Sequence, residues 1–421
     1  MSDRAAALAS DDSVNVRRPM AATAVIFLAN GLLFASWTAH IPQVKAHLGL
    51  TDATLGLALL GAPAGSVSAI LASARLLPRV GSKRLVQATL IGYCVSGPLV
   101  GRTGSVAALF AALFAWGAFQ AALDVAMNTQ AVVVERARGR PLMSGLHAWW
   151  SIGSFAGAGL GVLGVAIGLS LTNQLLLLGL PALVIPGWLT TWMLPDATAD
   201  IGPNTGPNSG LNTSPDPVRR RGGRLSGTII VLGAIAFASF LCEGASADWA
   251  AVYLRGSLSA GAAIAGLGYT AFSLAMVTTR LTGNRLLARF GTGRLLSVLA
   301  AVATVGFTAG LLGGRVATAL VGFGCLGLGL ALVVPSVFSA AGRLPGLDPG
   351  TAIATASAFG WAGLVCGPPL IGALASVTSL PTALGLIPVL TALIAVATAR
   401  AAALRQDQPG RRVAGSDGTD R

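Results

Sequence analysis

Charged side chains are scarce in this chain. Only 10% of its 421 residues are Asp, Glu, Lys or Arg, whereas 54% are hydrophobic and the mean hydropathy is +0.74. A soluble protein of this size carries about 25% charged residues. The shortage excludes an ordinary soluble domain and predicts an all-α membrane protein, whose length suits about twelve helices of about 20 residues each.

Cysteine and histidine are also few, with four and three residues. The cysteines lie inside apolar runs and lack the spacing of a disulfide framework or a metal site. The sequence contains no HExxH helix, no Ser/His/Asp set and no phosphate-binding loop. We therefore expect no enzymatic activity, no metal and no cofactor. A membrane-embedded enzyme or a sensor is the less favoured alternative.

The net charge of +13 is distributed unevenly along the chain. The two tails and every second loop between the predicted helices lie on one side of the membrane and carry 24 of the 28 Lys and Arg residues. The loops on the other side carry four: Lys45, Arg102, Arg255 and Arg315. By the positive-inside rule both termini are cytoplasmic. We expect a monomer whose partners are lipid and a small molecule rather than nucleic acid.

The apolar runs form two groups of six around a polar segment. Residues 20–194 and 226–403 are predicted to form two six-helix bundles, flanked by cytoplasmic tails at 1–19 and 404–421. The segment between them, 195–225, is rich in Pro, Asn, Ser, Thr and Gly, which predicts a flexible cytoplasmic linker. The predicted helix 8 ends near residue 282, so that Arg280 would extend toward the cytoplasmic surface.

The two halves resemble each other in sequence. Arg75-Leu-Leu-Pro-Arg79-Val-Gly81 is repeated as Arg285-Leu-Leu-Ala-Arg289-Phe-Gly291, 210 residues later. A parallel duplication of six helices is a known transporter construction, with the substrate site near the membrane midplane between the halves. The repeat therefore predicts a pseudo-two-fold axis.

A polar stripe crosses the fourth apolar run. Gln120, Asp124 and Asn128 recur every fourth residue, so on a helix they share one face. A central Asp costs about 2.5–3.5 kcal/mol on the insertion scale, and such residues face a bundle interior or a water-filled cavity. We interpret Asp124 as part of the wall of a polar pathway and both amides as substrate-binding groups. The alternative is that they join helices by hydrogen bonds.

Other polar and aromatic residues are weaker candidates. Glu243 lies near the middle of helix 7 and is assigned to proton coupling or substrate binding, whereas Asp248 lies closer to the outer end. His147 could relay protons, or simply bond a neighbouring helix. Trp side chains stack on sugars but also pack at interfaces. The remaining predicted substrate-binding residues are Asn30, His147, Trp37 and Trp361.

The repeated basic loops resemble the signature Gly-x-x-x-Asp-Arg-x-Gly-Arg-Arg of the major facilitator superfamily. The resemblance extends over nearly the whole chain and implies the fold of that family, with a gating role for Arg75, Arg79, Gly81, Arg285, Arg289 and Gly291. The acid of the signature falls on Pro78 and Ala288.

Two stretches are similar to the fucose-permease-like branch of that family and its bacterial inner-membrane relatives. These are Ile41-Pro42-Gln43 and Asp124-Val-Ala-Met-Asn128. The resemblance implies that Asp124 couples proton movement, while the branch's second carboxylate, late in helix 1, aligns with Thr38. We therefore expect alternating access with proton-coupled symport of a small polar solute, a sugar in the first instance. The resemblance also implies a bacterial inner membrane as the location and the proton gradient across it as the energy source. A proton-driven exporter of drugs or metabolites is the alternative.

Overall fold

The computed structural model describes residues 16–139, 142–196, 227–344, 347 and 349–401. Every regular element within these residues is a helix, as the sequence predicted. The predicted C-terminal tail, residues 1–15 of the predicted N-terminal tail and residues 197–225 of the linker lie outside the described residues. The long helical segments are α1 Arg17–His47, α2 Asp52–Val80, α3 Ser82–Val100, α4 Val106–Arg138, α5 Met143–Ala166, α6 Leu171–Trp192, α7 Gly227–Gly256, α8 Ala262–Phe290, α9 Thr292–Leu312, α10 Val316–Ala341, α11 Pro349–Val377 and α12 Leu380–Arg400.

The expected set of twelve helices is confirmed in number and order. Within the described residues, eleven segments are long and apolar enough to cross a membrane. The twelfth, α3, has 19 residues and carries Lys83 and Arg84 in its first turn. Helix α8 continues to Phe290, so the predicted end near residue 282 was wrong. Charged residues mark where the apolar run stops, but Arg and Leu still favour the helix.

Two helices that matter for function are interrupted. Helix α1 contains a 3-10 turn, Thr38–His40, directly before Ile41-Pro42. Helix α10 breaks between Leu330 and Val333. In the second case Pro335 explains the break, because proline has no N–H to donate to the carbonyl four residues earlier. The carbonyl of Ala331 is thereby left free for another donor.

The sequence duplication is repeated in the contacts between helices. A Cβ atom added at Gly153 would lie 2.1 Å from the Leu28 carbonyl oxygen, and one at Gly363 would lie 2.2 Å from that of Phe237. Helices α1 and α5, like α7 and α11, therefore approach backbone to backbone. Gly117 on Ala62 and Gly327 on Phe272 form a second such pair, at 2.3 and 2.2 Å. In both pairs the glycines are 210 residues apart, so packing preserves the repeat.

The described chain divides into two compact units. Unit 1 takes its residues from 1–37, 61–157 and 168–209, and unit 2 from 38–60, 158–167 and 210–421. The segments 38–60 and 158–167 pack against the rest of unit 2 through two glycines that are again 210 residues apart. A Cβ at Gly56 would lie 2.5 Å from the Pro368 carbonyl oxygen, and one at Gly266 would lie 2.8 Å from Val162. The predicted six-helix bundles at 20–194 and 226–403 stay a prediction.

Candidate functional site

The polar stripe of the sequence lies on one continuous helix. Helix α4 begins after Ser105, whose side chain accepts a hydrogen bond from the Ala108 N–H, and runs unbroken through the stripe. Gln120 and Asp124 are half-buried, and Asn128 is buried. The Nδ2 of Asn128 donates to the Asp124 carbonyl oxygen at 2.8 Å, and the amide also interacts with the Asp124 carboxyl group. Asn128 is therefore held by Asp124.

Asn30 joins the stripe to two other helices of unit 1. Its Oδ1 accepts hydrogen bonds from Gln120 Nε2 and from Trp150 Nε1, both at 3.1 Å. Asn30 itself is 0% exposed, whereas Gln120 and Trp150 are half-buried. The buried Asn30 on α1 therefore holds one side chain from α4 and one from α5 by hydrogen bonds. Gln120 and Trp150 are the more accessible residues of the three.

Trp150 is a member of this network that the sequence prediction left out of the site. Gly153 and Gly157 lie on the face of α5 that packs against α1. Trp150 precedes Gly153 by three residues and therefore lies on the same face of the helix. Its ring also stacks on Phe34 with centroids 6.4 Å apart and planes inclined by 29°.

Unit 2 contains an aromatic pair of the same geometry. Trp361 on α11 stacks on Phe240 on α7, again at 6.4 Å and 29°. Trp361 is half-buried, and its role in substrate binding stays a prediction. Trp37 differs, because it is only 4% exposed and packs edge-on against Trp116 at 6.1 Å. In this structure Trp37 therefore belongs to the core of the helix packing.

The second membrane carboxylate, Glu243, has a basic neighbour. Glu243 is half-buried on α7 and interacts electrostatically with Arg280 on α8. The Nε of Arg280 donates to the Ala331 carbonyl oxygen at 3.3 Å, the carbonyl that Pro335 leaves without its helical donor. The prediction that Arg280 extends to the cytoplasmic surface was wrong, because α8 continues for ten residues beyond it.

His147 is exposed, and its ring meets Phe27 edge-on at 5.4 Å. It precedes Trp150 by three residues on α5, so it lies on the face of α5 that packs against α1. Within the described residues, no group of three or more His, Cys, Asp or Glu side chains has the arrangement of a metal site.

The two basic loops have the same backbone form but different neighbours. Gly81 and Gly291 have φ angles of 78° and 76°, a region that favours glycine, and all four arginines of the motif, Arg75, Arg79, Arg285 and Arg289, are exposed. In the first loop, Asp196 accepts hydrogen bonds from the N–H and hydroxyl of Ser82 at the start of α3. Gln130 on α4 donates to that hydroxyl at 2.7 Å. Asp196 therefore supplies a carboxylate beside a loop whose own acid is replaced by Pro78.

The chain is similar to proteins described as transporters. An uncharacterized MFS-type transporter of Yersinia pestis is 33% identical over 383 residues, which cover 90% of this chain and 94% of that protein. The chain belongs to the major facilitator superfamily. An uncharacterized transporter of Sinorhizobium fredii is 31% identical over 378 residues, covering 90% of this chain and 97% of that one. This member of the superfamily is thus a multi-pass membrane protein related to transporters, although no protein-family profile matches it.

Solved structures agree with the fold of the superfamily. The nucleoside transporter NupG has a TM-score of 0.67 with 12% identity, covering 91% of this chain and 98% of that one. A bacterial homolog of the human lysosomal transporter Spinster has a TM-score of 0.65 with 14% identity, covering 93% and 98%. At such identities the likeness concerns the fold alone.

Proposed function

We propose that this chain is a proton-coupled secondary transporter of a small hydroxylated solute, in which Asp124 carries the proton. The observation that supports this most is the polar network across α1, α4 and α5. The amides of Asn30 and Gln120 and the indole N–H of Trp150 meet inside unit 1. The Asp124 carboxylate lies one turn further along the same face of α4. An intramembrane carboxylate that faces such a network marks an ion or substrate pathway by default.

The first candidate is import of a sugar with protons by alternating access. Gln120 is half-buried and can both donate and accept, which suits hydroxyl groups, and the Trp150 and Trp361 rings offer flat apolar surfaces. Glu243 is proposed as the second coupling residue, with Arg280 as its partner. In this proposal the basic loops lie on the cytoplasmic side of the inner membrane, together with both termini, and control access from that side.

The second candidate is proton-driven export. It is favoured by the surroundings of Asp124, for which no ion pair with a basic side chain is found in the described part of the chain. An unpaired carboxylate can hold a cationic solute or a proton in turn, which is the chemistry of exchange. Proton movement in the same direction as the solute indicates symport, and movement in the opposite direction indicates exchange.

The test is a flux measurement in proteoliposomes that contain a pH-sensitive dye. Neutral sugars are added one at a time, followed by nucleosides, because a structural neighbour is a nucleoside transporter. We expect one class of solute to move protons. Asp124→Asn should then abolish proton-driven accumulation but spare solute exchange. The matched control is Asp248→Asn, the same substitution at a carboxylate on α7, which should retain accumulation. Unchanged accumulation in Asp124→Asn would refute the coupling role.

A further inference from the structure

Along the stripe on α4, acceptor oxygens lack hydrogen-bond partners within the described residues. Trp150 Nε1–H can only donate, so the Asn30 group that faces it must be the oxygen, and this fixes the orientation of the Asn30 amide. The same oxygen also accepts a hydrogen bond from the Gln120 Nε2. Gln120 is thereby oriented with its Oε1 directed elsewhere, and that oxygen has no hydrogen-bond partner within the described residues.

Two turns along the helix, the amide of Asn128 is oriented in the same way, with its nitrogen bonded and its oxygen without a partner. Its Nδ2 is occupied by the Asp124 carbonyl oxygen, while its Oδ1 is buried and unpartnered among the residues that the structure describes. The Asp124 side chain lies between the two amides, and in its ionised form it can accept hydrogen bonds but cannot donate them. Three acceptor groups therefore follow one another over about 12 Å of helix, since each residue rises about 1.5 Å.

Such a row requires a partner that donates. A buried acceptor without a hydrogen bond costs about 1–3 kcal/mol, and a charged one costs more. A hydroxyl group can donate to any of the three positions, but only a cation also compensates the carboxylate charge. Unit 2 shows the contrast, because Glu243 already has Arg280 as its neighbour. In unit 1 the described chain supplies no comparable cation to Asp124.

We propose that the α4 stripe selects a hydroxylated solute that carries a protonated amine, an amino sugar in preference to a neutral sugar of similar size. The proposal rests on the proposed function in that unit 1 binds the transported solute. Ammonium and proton are then alternative partners of Asp124. The solute class would therefore favour exchange over symport as the mode of coupling.

The test is calorimetric binding to the full chain in lipid nanodiscs at neutral pH, where the amine of glucosamine is largely protonated and fewer protons compete for Asp124. The probes are glucosamine, glucose and N-acetylglucosamine, in which acetylation removes the charge and retains the nitrogen. Because hydrogen bonds to charged groups are about twice as strong as neutral ones, we expect glucosamine to bind about tenfold more tightly than N-acetylglucosamine. Asp124→Asn should remove that difference, and Asp248→Asn should preserve it.

Equal or weaker binding of glucosamine, or no binding of any probe, would overturn the proposal, and the wild-type ratio decides this even if Asp124→Asn does not fold. The two proposals fail in different ways. Proton-linked flux of neutral sugars without an amine preference would leave the proposed function standing and refute the amine. A clear amine preference without any proton-linked flux would support the amine proposal and refute the proposed proton coupling.

Discussion

Units 1 and 2 share their helix packing but differ in the chemistry of their carboxylates. Gly153 and Gly363 approach a neighbouring backbone in the same way, and Trp150 and Trp361 stack at the same distance and angle. Asp124 nevertheless has the Asn128 amide as its hydrogen-bond partner, whereas Glu243 interacts electrostatically with the Arg280 guanidinium group. Close contacts between backbones tolerate only glycine, while side chains around a site can change one at a time. Duplication has therefore kept the scaffold and allowed the two sites to diverge.

The largest expected effect comes from filling the shared backbone contacts. Gly153→Ala and Gly363→Ala should each destabilise the protein by about 1–3 kcal/mol, because the new Cβ meets a backbone carbonyl that cannot rotate away. Thermal unfolding of the purified protein measures the loss. Gly159→Ala and Gly324→Ala are matched controls, since nothing lies within 4 Å of a Cβ at either position. Damage in only one of the two units would show that the packing is not equivalent.

The second effect concerns the pair that distinguishes unit 2. Glu243→Gln or Arg280→Gln alone should lower stability, because each leaves one charge without its partner. The loss should be about 1–2 kcal/mol, less than for a fully buried pair since both side chains are half-buried. The double variant should recover part of the loss, as a double-mutant cycle of melting temperatures would reveal. Strictly additive losses would mean that the two residues do not interact.

The smallest effect separates the two aromatic pairs. Trp150→Phe keeps a ring for stacking but removes the N–H that holds Asn30. It should therefore raise the half-saturation concentration of the transported solute about two- to tenfold, the value of one hydrogen bond. Trp361→Phe should change it less, because no described residue accepts a hydrogen bond from that indole. Equal effects in a transport assay would place both rings in the same role.

Much of the fold follows from the sequence because a membrane imposes one simple rule. Every backbone group in the hydrocarbon core must be bonded internally, so long apolar runs become helices and their number can be counted. The positions of Gln120, Asp124 and Asn128 on one helix face followed from their spacing. The repeat around Arg75 and Arg285 predicted a duplication that the glycine contacts confirm.

Individual side-chain roles were harder to predict. Trp37 resembled a site residue, yet it packs in the core, while Trp150 was left out and bonds Asn30. Arg280 was assigned to the surface because the end of helix 8 was placed eight residues too early. Asp196, beyond α6, returns to the first basic loop and contacts Ser82. Each error arises because residues far apart in sequence become neighbours only when helices pack.

The sequence by itself determined the helices, their order and the repeat, because apolar length, charge placement and glycine spacing act locally along the chain. Tertiary structure alone decided which polar groups meet. The orientation of the Asn30 amide depends on an indole 120 residues away. The Ala331 carbonyl is freed by Pro335 within its own helix, but the guanidinium that bonds it comes from another. Spacing predicts the face of a helix, and only packing determines what that face meets.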